Sequence, residues 1–118
     1  MIPSYMLKQV YVKGSLKNVE GGFEFALRNN IDSGTLIGLG PVTVDGTAYA
    51  PATITLKTPR GEYHGDQVNS HTPVYFGIGM QATLSVIGKP LPAGTHHLVL
   101  ALLTAEAGSL EIDVTDTI

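Results

Sequence analysis

Apolar and polar residues alternate along much of this chain with a period of two. The clearest run is Phe23, Phe25 and Leu27 interleaved with Glu24, Ala26 and Arg28. Successive side chains of a strand point to opposite faces, so this spacing predicts a half-buried strand. Lys8, Val10, Val12 and Leu16 share one parity upstream, and Glu20-Gly21-Gly22 offers residues that tolerate positive φ. A hairpin reversing through those glycines is the expectation.

Val42 and Val44 run into Asp45-Gly46, a pair suited to the type I′ turn because both of its central positions need positive φ. Ile54 and Leu56 resume strand spacing beyond Ala50-Pro51-Ala52, which suggests a looser return than a tight two-residue loop. Val74 to Phe76 and Ala82 to Val86 read as short strands separated by Gly77-Ile78-Gly79, while residues 58–73 read as the longest irregular stretch. Leu98, Leu100 and Leu102 face one way and Val99, Ala101 and Leu103 the other. A strand apolar on both faces is either central or covered by a partner. After Ala107-Gly108, Leu110, Ile112 and Val114 alternate with Glu111, Asp113 and Thr115.

No segment keeps the i, i+3, i+4, i+7 pattern of an amphipathic helix for three turns. The pattern therefore predicts an all-β chain: an antiparallel, jelly-roll-like β-sandwich of about eight short strands, with residues 1–118 forming one domain.

Composition sharpens this picture. Charged residues make up only 14% of the 118 residues, against roughly 25% in ordinary soluble domains, and the mean hydropathy is +0.17. Depleted charge points to surface covered by another chain. The chain also has no cysteine, which excludes disulfides, thiolate metal sites and a cysteine nucleophile and fits a cytoplasmic setting. A net charge of −3 with seven scattered Lys and Arg argues against nucleic acid. No membrane span or secretion signal is visible.

Candidate chemistry is sparse. His96 and His97 are adjacent, so on a strand they face opposite sides and cannot share one metal ion. Asp32, Asp45 and Asp66 sit in turn contexts, and Glu111, Asp113 and Asp116 read as one polar face. Ser33 and Ser70 lack a nucleophile-elbow context, and Gly34, Gly38 and Gly40 do not form a dinucleotide fingerprint. Neither a catalytic residue nor a metal site of the chain's own is expected.

Gly22-Phe23-Glu24-Phe25 with Arg28, Gly34-Thr35, Val44-Asp45-Gly46, and Pro92-Ala93-Gly94-Thr95-His96 before an apolar strand resemble, in that order, the small β subunit of bacterial C-glycoside deglycosidases. That resemblance implies a non-catalytic subunit of a heteromeric carbon–carbon lyase acting on 3-oxo-C-glycosides with flavonoid-type aglycones. Its partner would be a larger sugar-isomerase-like barrel subunit holding a divalent metal such as manganese, with no cofactor on this chain. Tyr63, His71 and Tyr75, in or beside the 58–73 stretch, are then the residues expected to contact the pocket or partner. The alternatives are a stand-alone carbohydrate- or ligand-binding sandwich and a structural assembly module.

Overall fold

A computed structural model of the chain describes residues 2–118. A single helical turn, α1 (Ser4–Lys8), precedes ten strands: β1 (Lys17–Val19), β2 (Gly22–Arg28), β3 (Gly34–Val44), β4 (Thr47–Tyr49), β5 (Ile54–Thr58), β6 (Gly61–His64), β7 (Val74–Phe76), β8 (Gln81–Ile87), β9 (Thr95–Thr104) and β10 (Gly108–Thr117). They form two antiparallel sheets. Sheet A runs β1-β2-β8-β5-β6, and sheet B runs β10-β9-β3-β4 with β7 paired to the start of β3. The all-β sandwich expected from the alternation is therefore the fold, with ten strands among the described residues where about eight were expected.

The inward parity of each strand supplies the core. Phe23, Phe25, Leu27, Ile54, Leu56 and Leu84 of sheet A meet Val42, Leu98, Leu100 and Ile112 of sheet B, all essentially without solvent contact. Ring contacts tie layers together as well, with Tyr49 packed edge-on to Phe23 at 5.2 Å between centroids.

The Asp45-Gly46 turn follows its residues. Asp45 and Gly46 have φ of 50° and 84°, both positive as the type I′ turn requires. The returning strand is β4, however, and Ile54 and Leu56 belong to sheet A. A 3-10 turn over Pro51–Thr53 carries the chain between the sheets. Gly22 is needed for a different reason: a Cβ there would lie 1.8 Å from the carbonyl oxygen of Val86, so only glycine allows β2 to approach β8 this closely.

Three expectations change. Lys8 to Leu16 is not a strand: α1 ends at Lys8, and only a single bridge, Tyr11 to Leu27, pairs this segment with sheet A. The hairpin across Glu20-Gly21 instead joins β1 to β2. Residues 58–73 are less irregular than expected, since they contain β6 and a 3-10 turn over Gly65–Gln67. Asp116 does not join Glu111 and Asp113 on the outer face. It has the parity of Ile112 and is only 3% exposed.

Asp116 is the anchor that closes one side of the sandwich. Its Oδ2 accepts the Tyr11 hydroxyl proton at 2.7 Å and the Leu16 N–H at 3.2 Å, and the Gly14 N–H lies 3.0 Å from Oδ2 and 3.1 Å from Oδ1. Burial alone would raise its pKa, but the Tyr11 hydroxyl and the backbone donors outweigh burial and hold it below the usual carboxylate range. Tyr11 moves up, through burial first and the carboxylate bond second.

Candidate functional site

β9 lies between β10 and β3, so it is central within sheet B, yet its outward residues are Val99, Ala101 and Leu103. Leu103 remains 40% exposed. Beside them β3 contributes glycine. A Cβ at Gly40 would come within 2.7 Å of the Ala101 Cβ, and one at Gly38 within 3.1 Å of the Leu103 Cβ. The β9 side chains thus lean over a floor without side chains. This leaves a shallow trough of about 260 Å³ bordered by Gly40, Ala101, Leu103, Ser109 and Glu111. On its β10 flank, Glu111 and Asp113 stand opposite Ala101 and Val99. The face is an apolar strip with an acidic margin.

At the edge of this face the two histidines separate as their parity requires. His96 is buried, and its ring meets an acceptor at each nitrogen: Nδ1 is 2.6 Å from Asp45 Oδ2 and Nε2 is 2.7 Å from the Pro92 carbonyl oxygen. Two acceptors require hydrogen on both nitrogens, so the geometry selects the imidazolium. The bond to Asp45, then that to Pro92, raises the His96 pKa against the opposing effect of burial. Asp45 is held low, chiefly by the His97 N–H and then by His96. This pair joins the β3–β4 turn to the start of β9. His97 faces outward, with Nε2 2.6 Å from Asp113 Oδ1. Among the described residues no group of three or more His, Cys, Asp or Glu gathers as a metal site.

A second concavity lies at one end of the sandwich. It encloses about 350 Å³ between α1, the 29–34 loop and the 104–107 turn, and Leu7, Ile31, Leu36, Phe76 and Leu102 are among its walls. Asn29 shapes its mouth by donating to the carbonyl oxygens of Asp32 at 2.7 Å and Phe76 at 2.8 Å and accepting from the Ile31 N–H at 3.1 Å. Asp32 and Glu106 stand at the rim. Sequence reasoning passed over this site because its walls come from separated elements and its carboxylates have ordinary turn contexts.

Of the residues singled out by sequence, Tyr63 is half-buried on β6 in sheet A and packs against the core. Tyr75 is 41% exposed on β7 in sheet B, under the guanidinium of Arg60 at 4.5 Å from the ring centroid. His71 is exposed in the loop before β7, where its backbone N–H donates to Asn69 Oδ1 at 2.8 Å. Two different sheets and a loop carry the three. Arg60, on the β5–β6 turn, reaches the Tyr75 ring, and the Tyr75 hydroxyl lies 3.5 Å from Ser33 Oγ.

A family model described as hydroxymethylglutaryl-CoA reductase, N-terminal domain, matches residues 6–118. No curated protein matches the chain. The family match overturns the resemblance to the C-glycoside deglycosidase β subunit, and with it the carbon–carbon lyase activity, the 3-oxo-C-glycoside substrate and the sugar-isomerase-like barrel partner. Nor does it support a stand-alone carbohydrate-binding module. The residues that carried the resemblance perform general structural work. Phe23 and Phe25 fill the core, Asp45-Gly46 makes a type I′ turn, and Gly94 has a φ of 128° ahead of β9. Any sandwich with these turns needs residues of these kinds. Among the described residues no helix is long and apolar enough to cross a membrane.

Proposed function

The chain belongs to the hydroxymethylglutaryl-CoA reductase N-terminal-domain family, and from that premise we propose that it is a non-catalytic docking domain, seated on the catalytic part of such a reductase through the outer face of sheet B. The observation that carries this reading is the outward Val99, Ala101 and Leu103 strip over Gly38 and Gly40, with Leu103 40% exposed. An apolar strip in a chain with 14% charged residues suits the centre of a permanent interface. Glu111 and Asp113 beside it favour a partner surface with Lys or Arg at its edge. A cytoplasmic setting, in keeping with a chain free of cysteine, is part of the same reading.

The test is co-elution of this chain with a reductase catalytic part on size exclusion, for the native sequence and for Leu103→Asp. An outward aspartate leaves the core untouched and puts an unpaired charge in the contact. The native chain is expected to co-elute, and Leu103→Asp to weaken association at least tenfold with an unchanged circular dichroism spectrum. Equal association of both chains, or none of the native chain, overturns the reading.

A further inference from the structure

The end cavity is distinct in chemistry from the outer face of sheet B. Its walls are mostly aliphatic and aromatic, with Asn29, Ser33 and Thr104 as the uncharged polar residues among them; the charged residues along it are Asp32 and Glu106, and among the described residues no Lys, Arg or His lines it. At about 350 Å³ it falls within the range of small-molecule pockets, about 300–1,000 Å³.

Glu106 is held in place. Its Oε1 accepts the Thr35 N–H at 2.8 Å and its Oε2 the Thr35 hydroxyl at 2.9 Å. Those two bonds, the backbone one first, keep its pKa below the usual carboxylate range. Asp32 uses Oδ1 to accept the Ser33 N–H at 2.8 Å. Each carboxylate retains lone pairs for a further donor.

We propose that this cavity binds a small amphiphile with an unbranched or compact hydrocarbon body and a cationic amine head, the body lying between Leu36, Phe76 and Leu102 and the ammonium meeting Glu106 and Asp32. An ammonium carries donors and no acceptor, which suits a rim of two carboxylates. A fatty-acid carboxylate would face like charge at the same rim, and a sugar would leave its hydroxyls against apolar walls. Each methylene taken out of water tightens binding about fourfold, so affinity should climb with chain length until the cavity is filled.

Isothermal titration of the full chain with n-hexylamine, n-octylamine and octanoate, all below micelle-forming concentrations, tests this. Octylamine is expected to bind one site per chain, at least fivefold more tightly than hexylamine and at least tenfold more tightly than octanoate. Glu106→Gln, which keeps the size of the side chain, should weaken octylamine several-fold and narrow its advantage over octanoate. Ala107→Trp, which places an indole at the mouth from an exposed turn position, should abolish binding, with thermal unfolding confirming that both variants are folded. Absence of saturable binding, equal affinity for octanoate, no dependence on chain length, or octylamine binding unchanged by folded Ala107→Trp would each overturn the proposal.

Discussion

His96 shows how one side chain couples the fold to proton concentration. The imidazolium bridges Asp45 and the Pro92 carbonyl, so losing its proton leaves one nitrogen without hydrogen against an acceptor. Its pKa is raised from 6.5, which means that its stabilisation is complete below 6.5 and lost as pH climbs through the higher folded-state value. Asp45 is lowered from 3.8, so its share is present above 3.8 and lost as pH falls through the lower folded-state value. The clamp is therefore complete between those two ordinary values. Urea unfolding at pH 6 and pH 9 should show the native chain losing stability at the higher pH. His96→Gln should lose less, and equal losses in both chains would rule the clamp out. The opposite facing of His96 and His97 was legible from adjacency on a strand. The identity of the partner was not, because Asp45 is 51 residues away and a turn role accounts for it fully when read alone.

Among the elements, glycines that look alike in sequence act through different physics. Gly46 has open space where a Cβ would sit, and its φ is 84°; Gly46→Ala is expected to cost about 1 kcal/mol, the penalty for an L-residue in the left-handed region. Gly22 lies on a strand with no room for a Cβ beside Val86, so Gly22→Ala must separate β2 from β8 and is expected to cost at least about 3 kcal/mol. Chemical denaturation of both variants checks the order, and a milder effect at Gly22 would contradict the close approach. The Asp45-Gly46 turn could be read directly, since the dipeptide carries the signal. The landing point of the following strand could not be. Thr47–Tyr49 is short and only Tyr49 has a large apolar side chain, so the stronger pattern at Ile54 and Leu56 drew the pairing across to residues that belong to the other sheet. Likewise β6 has a single apolar residue, Tyr63, among Gly61, Glu62 and His64, and an edge strand of that composition has little alternation to detect.

For the molecule as a whole, the alternation specified two opposed apolar faces and therefore the sandwich, but not how its open side is closed. Asp116 carried the needed clue in its parity with Ile112. Charge obscured that clue, because a carboxylate on an inward position is expected only when donors meet it, and apart from the neighbouring Thr117 N–H those donors come from Tyr11, Gly14 and Leu16 at the far end of the chain. We expect residues 1–118 to unfold in one cooperative step, with far-ultraviolet circular dichroism and tyrosine fluorescence giving coincident transitions. Asp116→Ala should lower the stability of that single step by about 3 kcal/mol, since it strands buried donors. Separate transitions, or a change below about 1 kcal/mol, would contradict the role assigned to this carboxylate.

The Tyr11–Asp116 bond spans 105 residues, and this has a consequence for the order of events on the ribosome. Tyr11, Gly14 and Leu16 are synthesised first among the members of this anchor, and their acceptor arrives only after β1 to β9 and most of β10 have been made. Throughout that interval the nascent sandwich has one side unfastened, and Asp116, the last member of the anchor to emerge, is what latches it.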